Sequence, residues 1–154
     1  MSSGTDYPPP RTILCDLDGV LAEYHGPAGV GVIGPPIPRM VERVKAWLAA
    51  GRDVRIFTAR VSYGEAPTCE VPFETTRRDA EHQRALIKAW CREHLGRELP
   101  VTNCKGYGAV EIYDDRAIQM IANAGQTLAE HLDEQKVHRP PKCFRPPATL
   151  RRPS

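Results

Sequence analysis

The chain has 154 residues, 41% of them hydrophobic and 26% charged, with a formal net charge of +2. That length suits one domain around a single sizeable core, and the composition excludes a fibrous or wholly disordered chain. So small a net charge argues for no particular partner, and the missing membrane-length apolar run and basic-then-apolar leader predict a cytoplasmic protein without membrane contact.

The predicted elements alternate along the chain. Residues 1–10, "MSSGTDYPPP", read as a flexible lead, because three prolines do not begin a regular element. "TILC" is a short apolar run that predicts a buried strand ending at Asp16. The Gly/Pro-rich "GPAGVGVIGPPIP" reads as a loop. Ile37, Met40, Val41, Val44 and Leu48 then recur at helical spacing, and Gly51 follows where a helix end favours a left-handed residue.

"DVRIFTAR" predicts a second strand that runs into a turn at Thr58, and residues 61–75 a long loop. Thr76 and Asp79 have the spacing of a capping box. Behind them, Leu86, Ile87, Trp90, Cys91 and Leu95 share one helical face closed by Gly96. "LPVTN" and "AVEIYDD" predict two more strands. "RAIQMIANAG" and "QTLAEHLDEQ" read as helices, and the sequence from residue 134 to 154 as a proline-rich, basic, irregular tail behind a domain spanning 11–133.

Strand–helix alternation predicts an α/β domain with a mainly parallel sheet and helices on its faces. In such sheets ligands bind beyond the carboxyl ends of the strands. Asp16 with Asp18, Thr58, and Asp114 with Asp115 all fall where a predicted strand stops. Carboxylates gathered at the mouth of a core need compensation, and a few hard oxygen ligands completed by water and phosphate suit Mg²⁺. An aspartate can also attack phosphorus covalently, and a second carboxyl brought back by a turn at Gly19 can move protons. Thr58 offers a hydroxyl and Lys105 a point charge to a dianionic phosphate, and Arg60 just beyond can read the substrate.

The five cysteines, Cys15, Cys69, Cys91, Cys104 and Cys143, are odd in number and form no CxxC pair. Reduced, mostly buried thiols are expected, not a zinc site or a disulfide framework.

With "DLDGV" after the first strand, "IFTAR" at the second, Lys105 in "NCKGYG" and the acidic pair of "IYDDR", the sequence resembles the haloacid dehalogenase-like phosphohydrolase superfamily. The motifs stand in that family's order over about residues 12 to 122, and "YDDR" is similar to its small, cap-less members. The resemblance implies a Rossmann-like three-layer sandwich without a separate cap domain. It also implies Asp16 as nucleophile and Mg²⁺ ligand, and Asp18 as general acid/base with its backbone carbonyl on the metal. Thr58 and Lys105 would hold the phosphoryl group, with Asp114 and Asp115 as further ligands or ligand orienters.

The activity expected is therefore a Mg²⁺-dependent phosphatase acting through an aspartyl-phosphate on a small phosphorylated metabolite, such as a nucleotide or sugar phosphate. Two other readings compete with it. A nucleic-acid-end phosphatase is suggested by His138, Arg139, Lys142, Arg145, Arg151 and Arg152 in the tail, against the plainer reading of a solvated basic tail. A non-enzymatic phosphate-binding module is the other. Taken singly, the Asp-x-Asp-Gly stretch can be an ordinary turn, Thr58 a strand-end hydroxyl and Lys105 a surface charge.

Overall fold

The structure is a computed structural model that describes residues 11–29, 31–63 and 76–137. The lead, most of the expected 61–75 loop and the tail from 138 onward lie outside the described residues. Its elements are β1 (Thr12–Asp16), α1 (Pro38–Ala49), β2 (Asp53–Phe57), a 3-10 turn (Ala59–Val61), α2 (Arg77–Leu95), β3 (Val101–Thr102), β4 (Ala109–Tyr113) and α3 (Leu128–Val137). The chain divides into two compact units, one ending at Asp115 and one beginning at Arg116.

In the first unit the sheet runs β3-β2-β1-β4, and every pairing is parallel. β1 is central because it is the most apolar strand: Ile13, Leu14 and Cys15 are all essentially inaccessible to solvent. Its Ile13 and Cys15 point to one face with Val54 and Ile56 of β2. Met40, Val41 and Val44 of α1, and Ile87, Trp90, Cys91 and Leu95 of α2, close over that face as one core. Both crossovers step the same way across the sheet, from β1 to β2 to β3, so their shared hand brings both helices to one side.

The helix ends follow local chemistry. Pro38 opens α1, where its missing N–H costs nothing. Beyond Ala49 the Gly51 and Arg52 N–H groups donate to Leu48 O and Trp47 O, both at 3.0 Å, with Gly51 at φ 73°. That is a Schellman closure, which a glycine accepts without strain. α2 begins in the capping box read from the sequence: Asp79 N–H donates to Thr76 Oγ1 and Thr76 N–H to Asp79 Oδ2. It ends on Gly96 in the left-handed region. α1 also reaches β4, through Trp47 tilted against Tyr113 with ring centroids 4.6 Å apart.

Between β1 and α1 the chain makes a short hairpin-like excursion. Glu23 N–H donates to Pro35 O and Ile37 N–H to Leu21 O, both at 2.9 Å, and Ala22 bridges Pro36. Trp90 of α2 pins the returning arm, its indole N–H donating to Gly34 O at 3.0 Å. The two arms lie so close that a Cβ at residue 34 would fall 2.0 Å from Glu23 O.

The second unit departs from the sequence reading. Residues 116–125, expected to be helical, form turns closed by an antiparallel bridge between Met120 and Thr127, with Ile121 N–H donating to Gln126 O at 2.8 Å. The reason is local: Asn123 and Gly125 both take positive φ, 60° and 68°, which no helix accommodates. α3 does form, two residues later than expected, behind a capping box of Thr127 and Glu130. It runs through residue 134, where the sequence suggested that an irregular tail begins.

Cys15 and Cys91 are free and buried, and Cys104 is free and exposed; Cys69 and Cys143 lie outside the described residues. Burial pushes the Cys15 thiol up to about 12 and Cys91 up to about 11, so both are unreactive at neutral pH.

The close approach at Gly34 is directly testable. Gly34→Ala forces a methyl group into the Glu23 carbonyl and is expected to destabilise by about 1–3 kcal/mol. Gly106→Ala, where nothing lies within 4 Å of the added carbon and the backbone angle is not positive, should cost less. Chemical denaturation of the two variants measures the difference.

Candidate active site

The order β3-β2-β1-β4 places a topological switch point between β1 and β4. The chain steps outward from β1 through β2 to β3, then returns through residues 103–108 to lay β4 on the other side of β1. Loops leaving adjacent strands in opposite directions open a crevice at their carboxyl ends. Asp16 is the last residue of β1, and Asp114 and Asp115 directly follow β4.

These three converge. Asp16, Asp114 and Asp115 can each offer one carboxylate oxygen such that the oxygens all lie within 4.8 Å of one another. Asp16 and Asp114 are partly buried and Asp115 is exposed. Asp16 Oδ1 accepts a 2.7 Å hydrogen bond from the Leu17 N–H, which aims the carboxylate. Desolvation is the main reason that Asp16 is pushed up to about 6; the Leu17 N–H opposes the shift, and the charges of Asp114, Asp18 and Asp115 add to it.

The backbone beyond β1 turns sharply to make this possible. Leu21 and Ala22 N–H groups donate back to Leu17 O at 3.0 and 2.8 Å, and Gly19 N–H to Ala22 O at 2.8 Å. Gly19 has φ 83°, and a Cβ there would stand 2.9 Å from Asp115 Oδ2. Position 19 therefore needs glycine twice over, for its backbone angle and for the carboxylate packed against it.

The Asp18 side chain lies outside the cluster of three. Arg60 grips it as a fork: Nε donates to Oδ2 at 2.6 Å and Nη2 to Oδ1 at 2.7 Å. Both side chains are about four-fifths covered, with 19% of Arg60 and 20% of Asp18 exposed. The paired carboxylate holds the guanidinium above its ordinary pKa. Arg60, expected from sequence to read the substrate, thus meets a carboxylate from the neighbouring strand's loop. Nothing in the sequence signals this pairing across 42 positions.

Thr58 is buried at the end of β2. Its N–H donates to Thr102 O at 2.9 Å, and its Oγ1 caps the 3-10 turn by accepting from the Arg60 N–H at 3.2 Å. That fixes the oxygen and leaves the hydroxyl proton to donate elsewhere. Lys105 is exposed in the 103–108 loop, and no hydrogen bond or ion pair among the described residues ties it to the carboxylates.

The fold and this crevice define an α/β domain with an acidic site at the switch point of a parallel sheet. Among the described residues, no helix is long and apolar enough to cross a membrane. Compared with protein-family models, curated proteins and solved structures, the chain matches none.

The raised Asp16 has a consequence for stability. Its folded pKa of about 6 lies above the ordinary 3.8, so its contribution to stability is fully present below about pH 4 and is lost as pH rises through 6. Allowing for partial exposure, the loss is about 1 kcal/mol. Asp16→Asn should therefore melt higher than the parent chain at pH 7 in EDTA, with the gap closing by pH 4. Thermal melts at both pH values measure it, and equal melting temperatures at pH 7 would contradict the electrostatic account.

Proposed function

We propose that the protein is a phosphohydrolase of the haloacid dehalogenase type, acting on a small phosphate monoester such as a nucleotide or sugar phosphate. The observation that carries this reading is the meeting of Asp16, Asp114 and Asp115 at the switch point, with Asp18 and Thr58 on loops at the same edge. The proposal includes the three-layer arrangement of that superfamily, of which the first unit supplies the sheet and one helical layer.

The donor set fits Mg²⁺. Three hard carboxylate oxygens lie close enough to share one ion, and their mutual repulsion favours a cation between them. Asp16, Asp114 and Asp115 would hold it, with the Asp18 carbonyl as a fourth protein oxygen. When bound, the ion would offset charge on the phosphoryl oxygens and keep Asp16 ionised.

The residues divide the chemistry as follows. An Asp16 carboxylate oxygen attacks phosphorus; the P–O bond to the leaving group breaks, and Asp18, which enters this step as the carboxylic acid, gives its proton to the departing oxygen. Asp18 then takes a proton from water, whose oxygen attacks the aspartyl-phosphate. The P–O bond to Asp16 breaks, releasing inorganic phosphate and restoring both carboxyl groups. The Thr58 hydroxyl and Lys105 would donate to the phosphoryl oxygens throughout. Lys105 lies in a short loop, and a rotation of its flexible side chain is what this role requires of it.

Turnover of an aryl phosphate, of nucleotides, sugar phosphates and phosphorylated oligonucleotides, each with Mg²⁺ and with EDTA, is the direct test. Metal-dependent release of phosphate is expected, abolished by Asp16→Asn and lowered about 100-fold by Asp18→Asn. Retained activity in Asp16→Asn would exclude the covalent route. A preference for oligonucleotide ends would move the substrate class to nucleic acid.

A further inference from the structure

We propose that Arg60 is a positioning residue that divides the four carboxylates of this site, leaving three to the cation and holding Asp18 apart for the proton. The inference rests on the phosphohydrolase reading, and it is carried by the fork between Arg60 and Asp18.

Asp18 is two residues from Asp16 and close enough to act on it electrostatically. A fourth carboxylate so near three others would join them around any cation unless something held it away. The group of potential ligands nevertheless comprises Asp16, Asp114 and Asp115 alone, and both Asp18 oxygens are engaged by Arg60.

The geometry has the marks of a fixed support. Arg60 is anchored at its backbone, where its N–H donates to Thr58 Oγ1, and its side chain is largely covered. A planar guanidinium meeting a carboxylate through two parallel bonds fixes the orientation of the carboxylate as well as its distance. Lysine, with one rotatable point charge, cannot do this. The fork takes one lone pair on each Asp18 oxygen, and the outward side of the carboxyl group stays open to give a proton to a leaving-group oxygen or to take one from a water.

The same guanidinium could instead be a substrate ligand that merely rests on Asp18 until a phosphate displaces it. The two roles separate kinetically. Loss of a substrate ligand falls on KM, whereas loss of the group that aims the proton donor falls on kcat.

The test uses the full chain with Arg60→Lys, Arg60→Met, Asp18→Asn and the double variant Asp18→Asn/Arg60→Met. Aryl phosphate kinetics are run at saturating Mg²⁺, Mg²⁺ binding is measured by calorimetry, and melting is followed in EDTA. Both Arg60 variants should lose about 100-fold in kcat with KM changed less than about threefold. Arg60→Met should bind Mg²⁺ more tightly than the parent, because it releases Asp18 to the cation, and Asp18→Asn should remove that gain. The melting shifts of Asp18→Asn and Arg60→Met should be non-additive, as for residues in direct contact.

A KM raised tenfold or more at unchanged kcat would overturn the proposal in favour of substrate binding. Additive melting shifts, or Mg²⁺ affinity indifferent to Arg60, would also overturn it. If Arg60→Met fails to fold, the kinetics and Mg²⁺ binding of Arg60→Lys decide. A parent chain inert on every phosphate would defeat the phosphohydrolase reading. The Mg²⁺ titration and the melting cycle would then still decide whether Arg60 sets the ligand group.

Discussion

Like charge crowded at one point is the constraint around which the rest of the structure is arranged. Two unit charges 4.8 Å apart repel by about 3.5 kcal/mol at an effective dielectric of about 20, before neighbouring groups screen them. Three such groups meet where β1 and β4 end, and Asp18 stands just beyond. A fold of ordinary stability does not tolerate this without compensation. Among the described contacts, a backbone N–H is aimed at Asp16 and a guanidinium is locked on Asp18, while burial, with the neighbouring carboxylates adding to it, pushes Asp16 up to about 6.

The scaffold makes that crowding possible by being rigid elsewhere. β1 is buried on both faces, so its last residue is held by a core that includes both large helices. Gly19 allows the chain to turn within van der Waals distance of Asp115. The excursion over residues 22–36 is stitched to itself and to Trp90, which keeps it beside the loop that carries Asp18. Arg60 likewise owes its aim to the tight turn that follows β2, whose first N–H bond is made by Thr58. The Thr58 hydroxyl and the group that holds Asp18 are therefore parts of one short structural unit.

Most of the first unit was legible in the sequence because its signals were local and agreed with one another. The apolar run before Asp16, the spacing from Ile37 to Leu48, the capping box at Thr76 and the glycines at 51 and 96 each have a mechanism acting within a few residues. Residues 116–125 misled for the same reason in reverse. Ile118, Met120 and Ile121 mimic helical spacing, but Asn123 and Gly125 take left-handed angles and the stretch closes as a turn. Where weak periodicity met residues suited to positive φ, turn chemistry prevailed.

By itself the sequence determined the alternation of elements, the parallel sheet that follows from it, and the placing of Asp16, Thr58, Asp114 and Asp115 at strand ends. Those are consequences of period, capping and the rule that crossovers return parallel strands to one edge. Only the tertiary structure decided that β4 lies beside β1, and hence that two distant pairs of aspartates share one crevice. It alone decided that Arg60 closes on Asp18. Strand order and cross-strand ion pairs depend on distances between residues far apart in the chain, and those distances are set only once the core has packed.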